Sequence, residues 1–156
     1  MALSNDPDNR ELKDQIEAEI LIVDDNVVSS LALKLLCKTF KVNCDIATDG
    51  TEAILSVTSK FERTRSTYQL IVMDNHMPIC GGLDAAKTIS DFLDQNQQRG
   101  APKPYICLLT TFPSLTDLVN LHEFGISERI VKPIYKAGVK NLLIKAGLIE
   151  GQVSCI

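Results

Sequence analysis

The residues best able to do chemistry stand where short apolar runs stop. Asp24 and Asp25 follow ILIV, Asp74 follows LIVM, Thr110 ends YICLLT, and Lys132 follows RIV. A lone carboxylate closing a buried strand is costly unless something compensates it. Three carboxylates converging on one edge repel one another, and they stay ionised at neutral pH only with a cation among them. Carboxylate oxygens are hard ligands, and no suitably spaced His or Cys set accompanies them. That chemistry favours Mg²⁺, with Mn²⁺ as the alternative, over zinc. An aspartate beside Mg²⁺, a hydroxyl and a lysine is equipped to accept a phosphoryl group as an aspartyl phosphate. Metal and lysine together would neutralise the charge spread over the phosphoryl oxygens during transfer.

For these residues to meet, the runs that carry them must be neighbouring parallel strands. Strands are predicted over 19–23, 43–47, 69–73, 105–110 and 129–131, alternating with helices over 27–39, 51–61, 83–95, 114–123 and 135–146. Such alternation is the pattern of βαβ units in an α/β fold with a parallel sheet covered on both faces. Ligands in such sheets bind at the carboxyl ends of the strands, beside the point where strand order reverses. The first helix carries Val27, Leu31, Leu35 and Leu36 on one face, predicted to pack on the core. The second aligns Ala53, Ile54, Val57 and Phe61, and the third Leu83, Ala86, Ile89 and Phe92 or Leu93. FERTRSTY and QNQQRGAPKP read as polar connections. Residues 1–18 read as a charged tail or linker with a helix-like patch RELKDQIEAE, 19–148 as the domain, and 149–156 as a tail too short to fold.

Bulk properties narrow the function classes. The 156 residues, 45% of them hydrophobic, suit one domain with a sizeable core. A formal net charge of −4 offers no basic field for nucleic acid, and the longest apolar runs are too short to span a bilayer. The five cysteines form no Cys-x-x-Cys pair and no secretory signal precedes them, which predicts a reducing, cytoplasmic setting. Their expected role is packing, with Cys80, in a turn beside the acidic residues, open to oxidants.

Taken together, ILIVDDN, LIVMDNHMP with Gly82, LLTT and IVKPI resemble, in order and spacing, the signature blocks of the two-component response regulator receiver (CheY-like) domain. The resemblance covers residues 19–148. It implies a flavodoxin-like doubly wound (βα)5 fold with a five-stranded parallel sheet in the order 2-1-3-4-5. It also implies that Asp74 is the phosphoacceptor and Asp25 a direct Mg²⁺ ligand. Asp24 then acts on the metal mostly through water, and the backbone carbonyl of His76 is a further ligand. Thr110 corresponds to the switch hydroxyl and Lys132, before Pro133, to the lysine that pairs with phosphate. The implied partner is a histidine kinase or a histidine phosphotransfer protein. A homodimer would use the face formed by the helices expected over 114–123 and 135–146.

The chain departs from the family pattern at several accessory positions. Thr111 stands where a small residue is usual, Arg129 where a rotating Tyr, Phe or His is common, and Gly81 where an acidic residue is common. His76 and Phe112 fall at positions that tune phosphoryl lifetime, and bulky Phe112 is expected to hinder the attacking water. On this reading the chain catalyses its own phosphorylation and dephosphorylation rather than turning over a separate substrate. It is either a stand-alone regulator or the receiver of a hybrid histidine kinase, whose cytosolic part it would then form. The alternative is a pseudo-receiver, a protein-binding module that keeps the fold without phosphotransfer; such modules normally lose the acidic set that is intact here. A Mg²⁺-dependent aspartyl-phosphate phosphatase would want a second aspartate where His76 stands. A nucleotide-binding Rossmann domain would want a Gly-rich loop after the first strand.

Overall fold

The computed structural model describes residues 17–111 and 119–155. Most of the helix-like N-terminal patch, Phe112 and much of the expected fourth helix lie outside those residues. The strands β1 (Ile20–Val23), β2 (Cys44–Ala47), β3 (Leu70–Asp74), β4 (Tyr105–Thr110) and β5 (Glu128–Val131) form one sheet in the order β2-β1-β3-β4-β5. Every pairing is parallel. ILIV and LIVM are apolar throughout because both faces of a central parallel strand are covered. Alternate residues serve opposite layers. Leu21, Val23, Ile71, Met73, Ile106 and Leu108 pack on one side, and Ile20, Ile22, Leu70, Val72, Cys107 and Leu109 on the other.

Four α-helices are present among the described residues: α1 (Val27–Thr39), α2 (Gly50–Thr64), α3 (Gly82–Gln95) and α4 (Lys136–Lys145). Helices α2 and α3 cover the first layer, where Phe61 meets Phe92 edge to face at 5.8 Å; α1 and α4 cover the second. Of the expected fourth helix, the described part is a single 3-10 turn over Leu121–Phe124. Helix α2 runs three residues beyond its expected end, through KFERT, and stops where Arg65 turns left-handed at φ 58 with its N–H on the Phe61 carbonyl. A 3-10 turn, Gln97–Arg99, interrupts the loop after α3.

One expectation needs correction. Helix α1 does not face the core with its Val27, Leu31 and Leu35 stripe. Those three side chains are 63%, 49% and 64% exposed, while Ser30, Leu33 and Cys37 are buried. Both stripes obey a helical period, so spacing alone could not choose between them. The smaller side chains went inward, and the buried Ser30 hydroxyl is satisfied by the Val27 carbonyl at 3.0 Å. The residues after α4 form no further helix or strand among those described, but they make contacts with the domain. Leu148 and Ile149 pack on the α1/α4 layer, and the buried Asn141 amide holds Ser154 through Nδ2 to the carbonyl at 2.9 Å and the Ser154 N–H to Oδ1 at 3.1 Å. No described helix is long and apolar enough to cross a membrane.

Candidate phosphoacceptor and metal site

Register brings the acidic residues together. Val23 pairs with Met73, so the next residue on each strand, Asp24 and Asp74, lies side by side at the carboxyl edge. Backbone bonds continue past the strands: Asp24 N–H to the Ala47 carbonyl at 3.1 Å, Asn75 N–H to Leu109 at 2.9 Å, and Lys132 N–H to Thr110 at 2.8 Å. The site residues therefore stand on fixed backbone rather than on loose loops. Asn26 caps α1, accepting the Ser29 N–H at 3.0 Å, while its own N–H donates to Asp24 Oδ1 at 2.8 Å. Because Asn26 supplies the cap, Asp25 stays exposed and open to another partner.

Carboxylate oxygens of Asp24, Asp25 and Asp74 all lie within 4.8 Å of one another. Asp24 and Asp74 are buried. The Lys132 ammonium sits 3.3 Å from Asp74 Oδ1 and 3.6 Å from Asp24 Oδ2. Three carboxylates against one ammonium leave a surplus of two negative charges. Burial pushes the Asp24 carboxyl above the usual carboxylate range; Asp74 and Asp25 push the same way, and the Asn26 N–H and Lys132 oppose. An octahedral Mg²⁺ holds neighbouring oxygens about 3.0 Å and opposite ones about 4.2 Å apart, so the cluster has the charge and the hard oxygen donors for such an ion and would close slightly around it.

The remaining sequence-predicted residues are placed as follows. His76 is exposed, and its backbone N–H donates to Asp74 Oδ1 at 3.3 Å. Thr110 is fully buried at the end of β4, and Thr111 beyond it is exposed. Arg129 is half-buried in β5, in register with Leu108, so it lies on the strand face that carries Thr110 rather than standing clear of the sheet. Cys80 is half-buried, and burial, followed by Asp84 and Asp49, pushes its thiol up, which disfavours the thiolate that oxidants attack. Gly82 is required sterically: a Cβ there would lie 2.5 Å from the Asp74 carbonyl oxygen. Sequence reasoning missed Gly50 and Ile79, which contact or shape the loop after Asp74. The available signal was a glycine opening a helix, where alanine is preferred.

The family model described as the response regulator receiver domain matches residues 20–144. The autoinducer 2 sensor kinase/phosphatase LuxQ of Vibrio parahaemolyticus is 35% identical over 116 residues, which is 74% of this chain and 12% of that protein. This chain thus spans a small part of that relative's length. Among solved structures, the Saccharomyces cerevisiae Ssk1 receiver domain, crystallised with the histidine phosphotransfer protein Ypd1, is 27% identical with a TM-score of 0.69. The match covers 84% of this chain and 89% of that one. The receiver of the Pseudomonas aeruginosa sensor histidine kinase PA1611, with magnesium in its active-site cleft, is 26% identical with a TM-score of 0.65 and covers 83% and 98% respectively. With its parallel 2-1-3-4-5 sheet, its acidic strand edge and a match over most of its length, this chain belongs to the response regulator receiver domain family and is a receiver of phosphorelay type.

Proposed function

We propose that Asp74 accepts a phosphoryl group from a phosphohistidine, with Mg²⁺ held by Asp25, Asp74 and the His76 carbonyl, and with Asp24 in support. The observation that carries this is the three-carboxylate cluster within 4.8 Å, faced by Lys132 at 3.3 Å from Asp74. Bound there, the divalent ion would offset the negative surplus and take phosphoryl oxygens as ligands. A P–O bond forms at Asp74 as the P–N bond to the donor imidazole breaks. The His76 N–H and the backbone bond at Asn75 hold Asp74 in place for that in-line approach. Lys132, already between Asp24 and Asp74, follows the new charge, and the Thr110 hydroxyl lies at the neighbouring strand end.

The donor needs a landing surface, and one borders the site. Val27, Val28, Leu31 and Leu35 form an exposed apolar row on α1 that begins two residues after Asp25. Ile79, 89% exposed, sits on the loop after Asp74. We assign this rim to an apolar helical face of a histidine phosphotransfer protein or histidine kinase. We place this relay in a cytoplasmic setting, a reading supported by the unpaired thiols of the described cysteines. Incubation with Mg²⁺ and acetyl phosphate should add one phosphoryl mass by intact mass spectrometry, lost in Asp74→Ala and on chelation. Label that persists in Asp74→Ala would refute the assignment.

A further inference from the structure

Gly50 opens α2 and takes no part in the chemistry described so far. Glycine in a helix is less stable than alanine, and Gly50 is not among the residues with left-handed φ, so its backbone does not demand glycine. Contact does. A Cβ on Gly50 would lie 2.6 Å from the Cys80 carbonyl oxygen, 2.7 Å from Cys80 Sγ and 2.9 Å from Ala85 Cβ. The Gly50 N–H donates to that same Cys80 carbonyl at 3.3 Å. Two backbones touch where no side chain fits.

The segment held in this way joins Asp74 to α3, and it is strained. The Cys80 N–H donates to the Pro78 carbonyl at 2.8 Å, closing a three-residue turn around Ile79, whose φ is 71. Positive φ is an outlier for a β-branched residue, and a γ-turn of this hand is the rare, strained form. Such conformations persist where the surroundings over-determine them. Gly50 fixes the loop at Cys80. Gly82 fixes its other end, with its N–H on the Asn75 carbonyl at 3.3 Å and no room for a Cβ beside the Asp74 carbonyl. His76 lies between the two fixings.

We propose that Gly50 is a positioning residue for the phosphoacceptor loop: by pressing on Cys80 it keeps the Asp74 carboxylate and the His76 carbonyl at the spacing a Mg²⁺ ion needs. This rests on the metal reading given under Proposed function. Coupling between sites is reciprocal, so Mg²⁺ binding should in turn tighten the Gly50 contact.

Calorimetric Mg²⁺ titrations and melting curves of wild type, Gly50→Ala and Gly125→Ala test it. Gly125 has φ 73, and a Cβ there would collide with Ser90 of α3, so its substitution strains the fold away from the acidic cluster. Gly50→Ala should weaken Mg²⁺ binding about tenfold, the loss typical of disturbing a ligand's supporting contacts. Gly125→Ala should lower the melting temperature and leave Mg²⁺ affinity unchanged. Wild-type protein that binds no Mg²⁺ would overturn the metal reading and the clamp with it. Wild-type binding matched by folded Gly50→Ala, or an equal loss in Gly125→Ala, would overturn the clamp alone. Hydrogen exchange followed by NMR on wild type decides the matter if Gly50→Ala does not fold. The Gly50 amide should gain protection at saturating Mg²⁺, and an unchanged rate would overturn the proposal.

Discussion

At the scale of residues, the proposed metal site would trade stability for binding. Asp24 is buried beside two other carboxylates and is opposed by one backbone N–H and one lysine 3.6 Å away. Asp24→Asn keeps an oxygen for the Asn26 N–H and removes a buried charge. Without metal, that variant should be more stable than wild type by about 1 kcal/mol in urea unfolding, while its Mg²⁺ affinity falls. A variant less stable than wild type would show that the cluster is not strained by its own charge. Lys132 offers the converse case. Lys132→Ala removes positive charge from the cluster, so Mg²⁺ should bind as well or better. Labelling by acetyl phosphate should slow about a hundredfold, as expected when one preorganised charge is taken from a transferring phosphoryl group. Calorimetry and a quenched time course separate the two effects, and an unchanged labelling rate would remove Lys132 from the chemistry. These side chains are legible in the sequence because each stands at the polar end of a short apolar run. Gly50 shows there only as a glycine opening a helix, because its meaning lies in a contact with Cys80 some thirty residues away, and Ile79 does not show at all, because a β-branched residue gives no sign of the positive φ it adopts.

At the scale of elements, the segment entering β1 is clasped to α2. Glu17 pairs with the buried Lys60 at 3.1 Å and with Arg63, and Lys60 also donates to the Ala18 carbonyl at 2.9 Å. Arg63 and Lys60 hold the Glu17 carboxyl down at about 2, against an ordinary value of 4.5. A carboxylate depressed in the folded state contributes stability that is present above its unfolded value and lost as pH falls through its folded one. The clasp should therefore weaken between about pH 4.5 and pH 2. Glu17 is half exposed, so solvent screening limits its worth to about 1 kcal/mol near neutrality. Glu17→Gln should lose that amount at pH 7, and its unfolding curve should converge on wild type near pH 2; a constant gap across that range would contradict the titration. Element type and order follow from the sequence because buried parallel strands are continuous apolar runs and amphipathic helices repeat every three to four residues. The inward face of α1 does not follow, since Val27/Leu31/Leu35 and Ser30/Leu33/Cys37 both satisfy that repeat. Nor does the end of α2, where polar residues good at forming helices look like a connection.

At the scale of the whole molecule, the parallel sheet gathers its chemistry on one edge, and the apolar row misread as core becomes the rim of that edge. Exposed leucines on α1 bury little against this chain, so the fold gains little from them. Leu31→Glu and Leu35→Glu should accordingly change unfolding free energy by no more than about 0.5 kcal/mol, the range for surface substitutions. Phe61→Ala, in the fully buried layer, should cost about 3–5 kcal/mol. The informative comparison uses two phosphodonors. Acetyl phosphate is small and needs only the acidic cluster, so both α1 variants should label at the wild-type rate. A phosphorylated histidine phosphotransfer protein must also dock. Losing one buried leucine and desolvating a carboxylate in its place should slow transfer by ten- to a hundredfold, a cost of about 1.4–2.8 kcal/mol. Variants slowed equally with both donors would place the defect at Asp74 rather than at a docking rim. Variants unaffected with either donor would leave the row on α1 for some other partner and move the landing surface to a different side of the site.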